Sequence, residues 1–134
     1  MSAEANVETV KLMYVAFTKG DVATILDQCT DDVDWASDAS GDTAPWWGEH
    51  KGKEAVPGFF TGIAGTSEVT EFTPLSFATN ETEVMVFLRY GSRNTATGKE
   101  ASMHLHHYWR FRDGKVEYYR GSEDTQLTAS TFEP

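Results

Sequence analysis

The sequence predicts an α+β domain in which three N-terminal helices pack on one face of a curved antiparallel sheet. Three observations carry this. Apolar residues recur at helical spacing in the first third of the chain. From Val69 onward the spacing changes to the two-residue alternation of strands. The segregation of helices from antiparallel strands is itself the mark of the class. A strongly bent sheet closed by helices encloses a cone-shaped pocket.

Taken in order, Val7, Val10, Met13, Tyr14 and Phe17 recur at three- and four-residue steps. They give residues 3–19 one apolar stripe, and a helix. Gly20 stops it, and Asp21 is placed to cap a second helix over 22–29, whose inner face is Val22, Ile25, Leu26 and Cys29. A short strand over 31–37 sets Val33 and Trp35 on one face. Residues 38–51 read as a loop that holds Trp46 and Trp47 together. Two indoles are costly to leave in water, so they pack as a lid or mark a binding surface. Residues 52–65 read as a third helix with Val56, Phe59, Phe60 and Ile63 inward; Pro57 either sits in its first turn or delays its start.

The strands follow. In 68–79 Phe72, Leu75 and Phe77 are apolar, and Pro74 points to a bulge or an edge. The next strand is apolar on both faces from Val84 to Leu88, as a central or doubly covered strand would be. The last two strands lie in HLHHYWRFRDGKVEYYRGSEDT, residues 104–125, with Asp113-Gly114 as the hairpin turn. Before the turn, Leu105, His107, Trp109 and Phe111 share one face; His104, His106, Tyr108, Arg110 and Arg112 share the other. After it, Val116, Tyr118, Arg120, Ser122 and Asp124 alternate with Glu117, Tyr119, Gly121 and Glu123, and only one set faces inward. The outer sheet face, with His104, His106 and Tyr108, must be polar or covered, and could serve a dimer. Residues 128–134 read as a polar, loose tail on an ordered core of about 3–127.

At 134 residues the chain is one domain, 1–134, with 40% apolar and 13% aromatic residues, enough for a core or an aromatic-lined cavity. A net charge of −10 argues against nucleic acid and anionic membranes as partners. Cys29 is the single cysteine, so no internal disulfide forms and no zinc site is supported. The start, MSAEANVETVK, lacks the basic and apolar regions of a signal peptide, and no apolar run approaches the ~20 residues of a membrane span. The expectation is a soluble, cytoplasmic protein.

Three segments, YVAFTKGDVATILDQCTDDVDW, WWGEHKGKEAVPGFF and the terminal HHYWRFRDGKVEYYRGSEDT, carry a resemblance that spans nearly the whole chain. The sequence resembles the nuclear transport factor 2-like superfamily, and within it the SnoaL-like polyketide cyclase and ketosteroid isomerase-related group. The resemblance implies a cone-shaped α+β barrel, usually a homodimer, with a pocket between sheet and helices. The acid–base chemistry of such a pocket requires no cofactor and no metal. In cyclase-like relatives an Asp near the end of the final strand faces the pocket, which matches Asp124. A His or Gln on the preceding strand assists. The match lies among His104, His106 and His107, and alternation with Trp109 and Phe111 favours His107. The base of ketosteroid isomerases has no convincing match; Asp34 and Asp38 are the nearest.

The expected chemistry is removal of a proton beside a carbonyl of a small hydrophobic compound, with Asp124 as base and His107 as partner. Tyr14, Phe17, Trp35, Trp46, Trp47, Phe59, Phe60, Trp109 and Tyr118 would line the pocket. Two plainer readings stand beside it. Asp124 caps a turn or pairs with Arg120, and the domain binds a small ligand without catalysis.

Overall fold

The computed structural model describes residues 2–134. Ser2 opens the first helix, α1 (Ala3–Thr18), by accepting the Ala5 N–H at 3.0 Å. The expected stripe buries Val10, Met13 and Tyr14. It also buries Asn6, whose side-chain amide donates to the Glu81 carbonyl at 3.2 Å. Gly20, at φ +70°, takes the left-handed turn that side chains resist. Asp21 then caps α2 (Val22–Asp27), accepting from the Thr24 N–H at 3.1 Å. Cys29 begins β1 (Cys29–Ser37), buried and reduced. Burial pushes its thiol up to about 11, which leaves it a small inert hydrophobe.

The segment expected as loop over 38–51 contains a strand, β2 (Gly48–Lys51), antiparallel to β1. Only four residues long and lacking an apolar alternation, it owes its form to pairing with β1. Pro57 falls in the first turn of α3 (Val56–Thr66), which therefore starts four residues later than the apolar pattern suggests.

Four strands complete the sheet: β3 (Ser67–Thr79), β4 (Glu83–Asn94), β5 (Glu100–Arg112) and β6 (Lys115–Ser122). The spatial order is β2-β1-β6-β5-β4-β3. The sheet stays open, with β2 and β3 at its edges. Pro74 lies on the edge strand β3, beside a register shift between Pro74 and Ser76, so its missing N–H costs little. The meander β3 to β6 is antiparallel as expected, but β1 joins β6 in parallel. The sheet is therefore mixed.

Asp113 and Gly114 both have positive φ, 51° and 78°, as the turn type favoured by Asp-Gly hairpins requires. A few residues beyond, Arg110 pairs with Tyr118 and Phe111 with Val116. Glu117 is thus an extra residue, and this bulge changes which side chains of β6 face inward. Val116 and then Tyr119 and Gly121 are buried. Tyr118 is turned to the outer face. There it lies between the guanidinium groups of Arg110, 4.4 Å from its ring centre, and Arg120, at 4.0 Å.

The tail is also ordered. Residues 125–130 form α4 (Thr125–Ser130), with Thr128 and Thr131 buried and Phe132 packed 6.2 Å from Trp46, centre to centre. A helix this short is held by packing rather than by propensity. The core centres on Trp35, 2% exposed, with Tyr119, Phe59, Trp109 and Phe60 at 4.3, 5.6, 5.6 and 5.7 Å between ring centres. Among the described residues no helix is long and apolar enough to cross a membrane.

Candidate functional site

Between the inner sheet face and the helices lies a cavity of about 70 Å³. Of the residues expected to line it, Tyr14, Phe17, Trp35, Trp46, Phe59, Phe60, His107 and Trp109 do so. Trp47 and Tyr118 do not: the Trp47 indole is engaged by Glu123 outside the lining, and the bulge at Glu117 puts Tyr119 in the place of Tyr118. Tyr90 and Phe72, from β4 and β3, complete the wall and were not anticipated. Tyr90 alternates with the inward Val84, Val86 and Leu88 of β4, whereas Phe72 faces inward at a different parity from Phe77 because β3 carries a register shift between Pro74 and Ser76.

The bulge also decides which carboxylate enters. Asp124 is exposed and caps α4, accepting the Leu127 N–H at 3.0 Å. It is absent from the cavity wall. Glu123, one residue earlier, is in it. Glu123 Oε1 accepts the indole N–H groups of Trp46 at 2.9 Å and Trp47 at 3.1 Å. Its Oε2 accepts the Thr128 hydroxyl at 2.5 Å. A carboxylate offers about four acceptor positions; three are filled, and the one remaining is on Oε2. Of the tryptophan pair, Trp46 lies within the wall and Trp47 does not line the cavity, and both are tied to the same oxygen. α4, the short helix at the chain end, supplies Thr128 and so fixes the other oxygen.

Close approach of α3 to this segment depends on a glycine. A Cβ on Gly62 would lie 3.1 Å from both Pro45 C and Trp46 N, so the backbone at Pro45–Trp46 would have to give by a few tenths of an ångström. Gly62→Ala gains ~1 kcal/mol of helix propensity but overpacks this contact at a cost of ~1–3 kcal/mol. The expected outcome is a lower melting temperature and altered tryptophan emission as Trp46 is pushed off Glu123, read by calorimetry and fluorescence.

His107 reaches the cavity from β5. Its Nδ1 lies 2.7 Å from the Tyr14 hydroxyl, which in turn accepts the Trp109 indole N–H at 3.2 Å. Nδ1 is the acceptor within reach of the tyrosine proton, so the phenol is satisfied as donor to Nδ1 and as acceptor from Trp109. The neutral imidazole then carries its hydrogen on Nε2. Burial lowers the His107 pKa to about 3, with a smaller contribution from the nearby His106, so the ring is neutral at physiological pH. Burial also raises Tyr14, Tyr90 and Tyr119 above the ordinary tyrosine value. These hydroxyls remain protonated donors. The negative charge of Glu123 adds to the rise at Tyr90 and Tyr119, which sets all three groups in one electrostatic neighbourhood.

Gly121 has a specific role. A Cβ there would lie 2.4 Å from the Tyr119 hydroxyl oxygen, so glycine is what lets that hydroxyl lie against β6. The Trp35 indole nitrogen is buried without a partner. A buried donor left unpaired costs ~1–3 kcal/mol, and here it belongs to a residue of the cavity wall.

The remaining candidates lie elsewhere. His104 and His106 are exposed on the outer face, so the three histidines of the HLHH segment do not converge. Asp34 pairs with Arg120 at 3.0 Å, and Asp38 is exposed. The site thus brings together one carboxylate, one neutral imidazole and several phenol and indole donors around an apolar space.

Residues 10–119 match the family of SnoaL-like domains. The chain belongs to that family. No curated protein matches the sequence. Among solved structures, this SnoaL-like domain is similar to an NTF2-like protein of unknown function from Burkholderia pseudomallei K96243. The two share 22% identity and a TM-score of 0.90, with 100% of each chain covered. It is also similar to TerC, co-crystallised with polyporic acid, at 22% identity and a TM-score of 0.86 over 97% of this chain and 99% of that one. A proposed SnoaL-like polyketide cyclase from Jannaschia sp. CCS1 follows at 17% identity and a TM-score of 0.79, covering 98% and 95%. At such identities the likeness establishes the NTF2-like fold and leaves the chemistry to be argued from the site.

Proposed function

We propose that this SnoaL-like domain is a cofactor-independent enzyme of the polyketide cyclase and isomerase type, acting by acid–base chemistry on a small hydrophobic carbonyl compound. One observation carries the reading: an oriented carboxylate, Glu123, shares an aromatic cavity with a histidine, His107, held by the Tyr14 hydroxyl. Glu123 takes the role expected of Asp124. Its free Oε2 position accepts a proton from the carbon beside the carbonyl. The His107 Nε2–H donates to the oxygen on which negative charge develops. Because burial holds His107 far below its ordinary pKa, it offers a hydrogen bond without giving up a full proton. The three donors on Glu123 keep it in place.

The names of the neighbouring structures suggest the first ligands to try. A melting-temperature screen of wild type and Glu123→Gln should include cyclic ketones, aromatic polyketides and polyporic acid. A compound at 100 times its Kd raises stability by about 2.7 kcal/mol. Supporting results are a class that shifts wild type and is turned over by it, with turnover lost in the variant. Binding without turnover by wild type would instead favour a ligand-binding domain.

The outer sheet face supports a homodimer. Met85 and Phe87 point away from the core and are 46% and 36% exposed. His104 stacks on Phe87 at 4.5 Å between ring centres. A second copy of this chain would cover that strip. Light scattering is expected to give a dimer for wild type and a monomer of unchanged helical content for Met85→Glu with Phe87→Glu. A monomeric wild type at micromolar concentration contradicts it.

A further inference from the structure

A cavity of about 70 Å³ is roughly half the size of an engineered apolar cavity of ~150 Å³ that admits benzene. No ring can enter the site as it stands. A wall must move first, and the structure shows which. On the far side of α1 and α3 lies an open groove of about 640 Å³, running between the α1–α2 turn, α3 and β3. The cavity and the groove share Phe17, Ile25, Phe60, Ile63 and Phe72 as lining residues. The three rings touch as a partition, Phe17 being 6.0 Å from Phe60 and 5.1 Å from Phe72 between centres. All three rings are only half-buried, while the shared Ile25 and Ile63 are buried, so the rings are the part of the partition that can turn. Moving this partition to admit a head group joins the two spaces.

We infer that the groove is the outer half of the ligand site, and that it takes the uncharged apolar tail of a ligand whose carbonyl head lies between Glu123 and His107. The placing of the head rests on the reading given under Proposed function; the tail is the new element. The groove floor beyond the partition is apolar, with Val22, Pro57, Ala64 and Val69. Asp21 and Glu71 stand among its lining residues, Glu71 being paired with Arg89 at 3.6 Å, so that Asp21 is the charge left to face a ligand. The charge of Asp21, and the net −10 of the chain, oppose a tail ending in a carboxylate, which separates this ligand class from free fatty acids.

The test uses n-alkyl phenyl ketones of increasing length, acetophenone, butyrophenone, hexanophenone and octanophenone. Their Kd values are read from quenching of tryptophan fluorescence, since Trp35 and Trp109 line the inner cavity. Each methylene that enters the groove should tighten binding about fourfold. An ω-carboxyl tail of equal length should bind at least tenfold more weakly than its neutral counterpart. Thr61 and Ala64 are exposed and line the groove; neither lines the cavity. Thr61→Trp and Ala64→Trp should therefore weaken octanophenone tenfold or more, leave acetophenone within twofold, and keep the wild-type melting temperature. Affinity that is flat or falls with chain length overturns the inference. So does equal loss for short and long ketones in the groove variants, or no binding by any member of the series. Loss of turnover is scored separately. If Glu123→Gln retains full activity while the chain-length trend holds, the catalytic reading fails and the tail site stands.

Discussion

Glu123→Gln is expected to lower turnover by about 10²–10⁴-fold, the usual contribution of a positioned general base, while Asp124→Asn leaves it nearly unchanged. The two residues are adjacent and differ by one methylene, yet they do different things. Glu123 lies in the cavity wall with three hydrogen bonds to its carboxylate. Gln keeps the shape and the acceptor oxygen but cannot take a proton, and its NH₂ group cannot accept from either indole or from Thr128. Some stability is lost along with activity, so melting must be compared at the assay temperature. Asp124 holds one backbone N–H at the start of α4. Asn is as good a cap as Asp, so Asp124→Asn should melt within about 0.5 kcal/mol of wild type. Steady-state rates for both variants on the same substrate separate the two roles.

Acidification should destabilise the fold through His107, beginning well above the range in which carboxylates titrate. The sign follows from where the proton goes. In the unfolded chain His107 has the ordinary value near 6.5; in the fold burial lowers it to about 3. Between these values the unfolded state binds a proton that the native state refuses, so stability falls as pH falls. The slope is about 1.4 kcal/mol per pH unit, or about 2 kcal/mol between pH 6.5 and pH 5. The contribution is fully retained above the unfolded value and is lost progressively down to about pH 3. His107→Gln should be less stable than wild type at pH 7.5, having lost the fit to Tyr14, but its stability should change less from pH 6.5 to 5. Urea unfolding at pH 7.5, 6.5, 5.75 and 5 gives the comparison. Parallel curves for the two proteins would mean that His107 is not held neutral by burial.

Much of the fold was legible because its signals are local. The α1 stripe, the Asp21 cap, the Asp113-Gly114 turn and the edge position of Pro74 each depend on residues within one turn or strand. The β5 faces were legible for the same reason, and with them His107 and Trp109. The inward face of β6 was not. Its parity is set by Glu117, a residue that looks like any other strand charge and becomes a bulge only because Phe111 pairs with Val116 and Arg110 with Tyr118. That single irregularity exchanges Tyr118 for Tyr119 and Asp124 for Glu123. β2 and α4 were missed because four and six residues carry too little pattern; one depends on β1 and the other on packing against Trp46. A faint signal for the site was present in GSEDT, where two successive acids guarantee that one shares the face of the inward residues whichever parity holds.

The most direct measurement is deuterium incorporation from D₂O beside the carbonyl of a bound ketone, followed by NMR, for wild type, Glu123→Gln and Asp124→Asn. The expected result is catalysed exchange in wild type and Asp124→Asn, and loss of at least a hundredfold in Glu123→Gln. Undiminished exchange in Glu123→Gln, or exchange lost only in Asp124→Asn, would contradict Glu123 as the base.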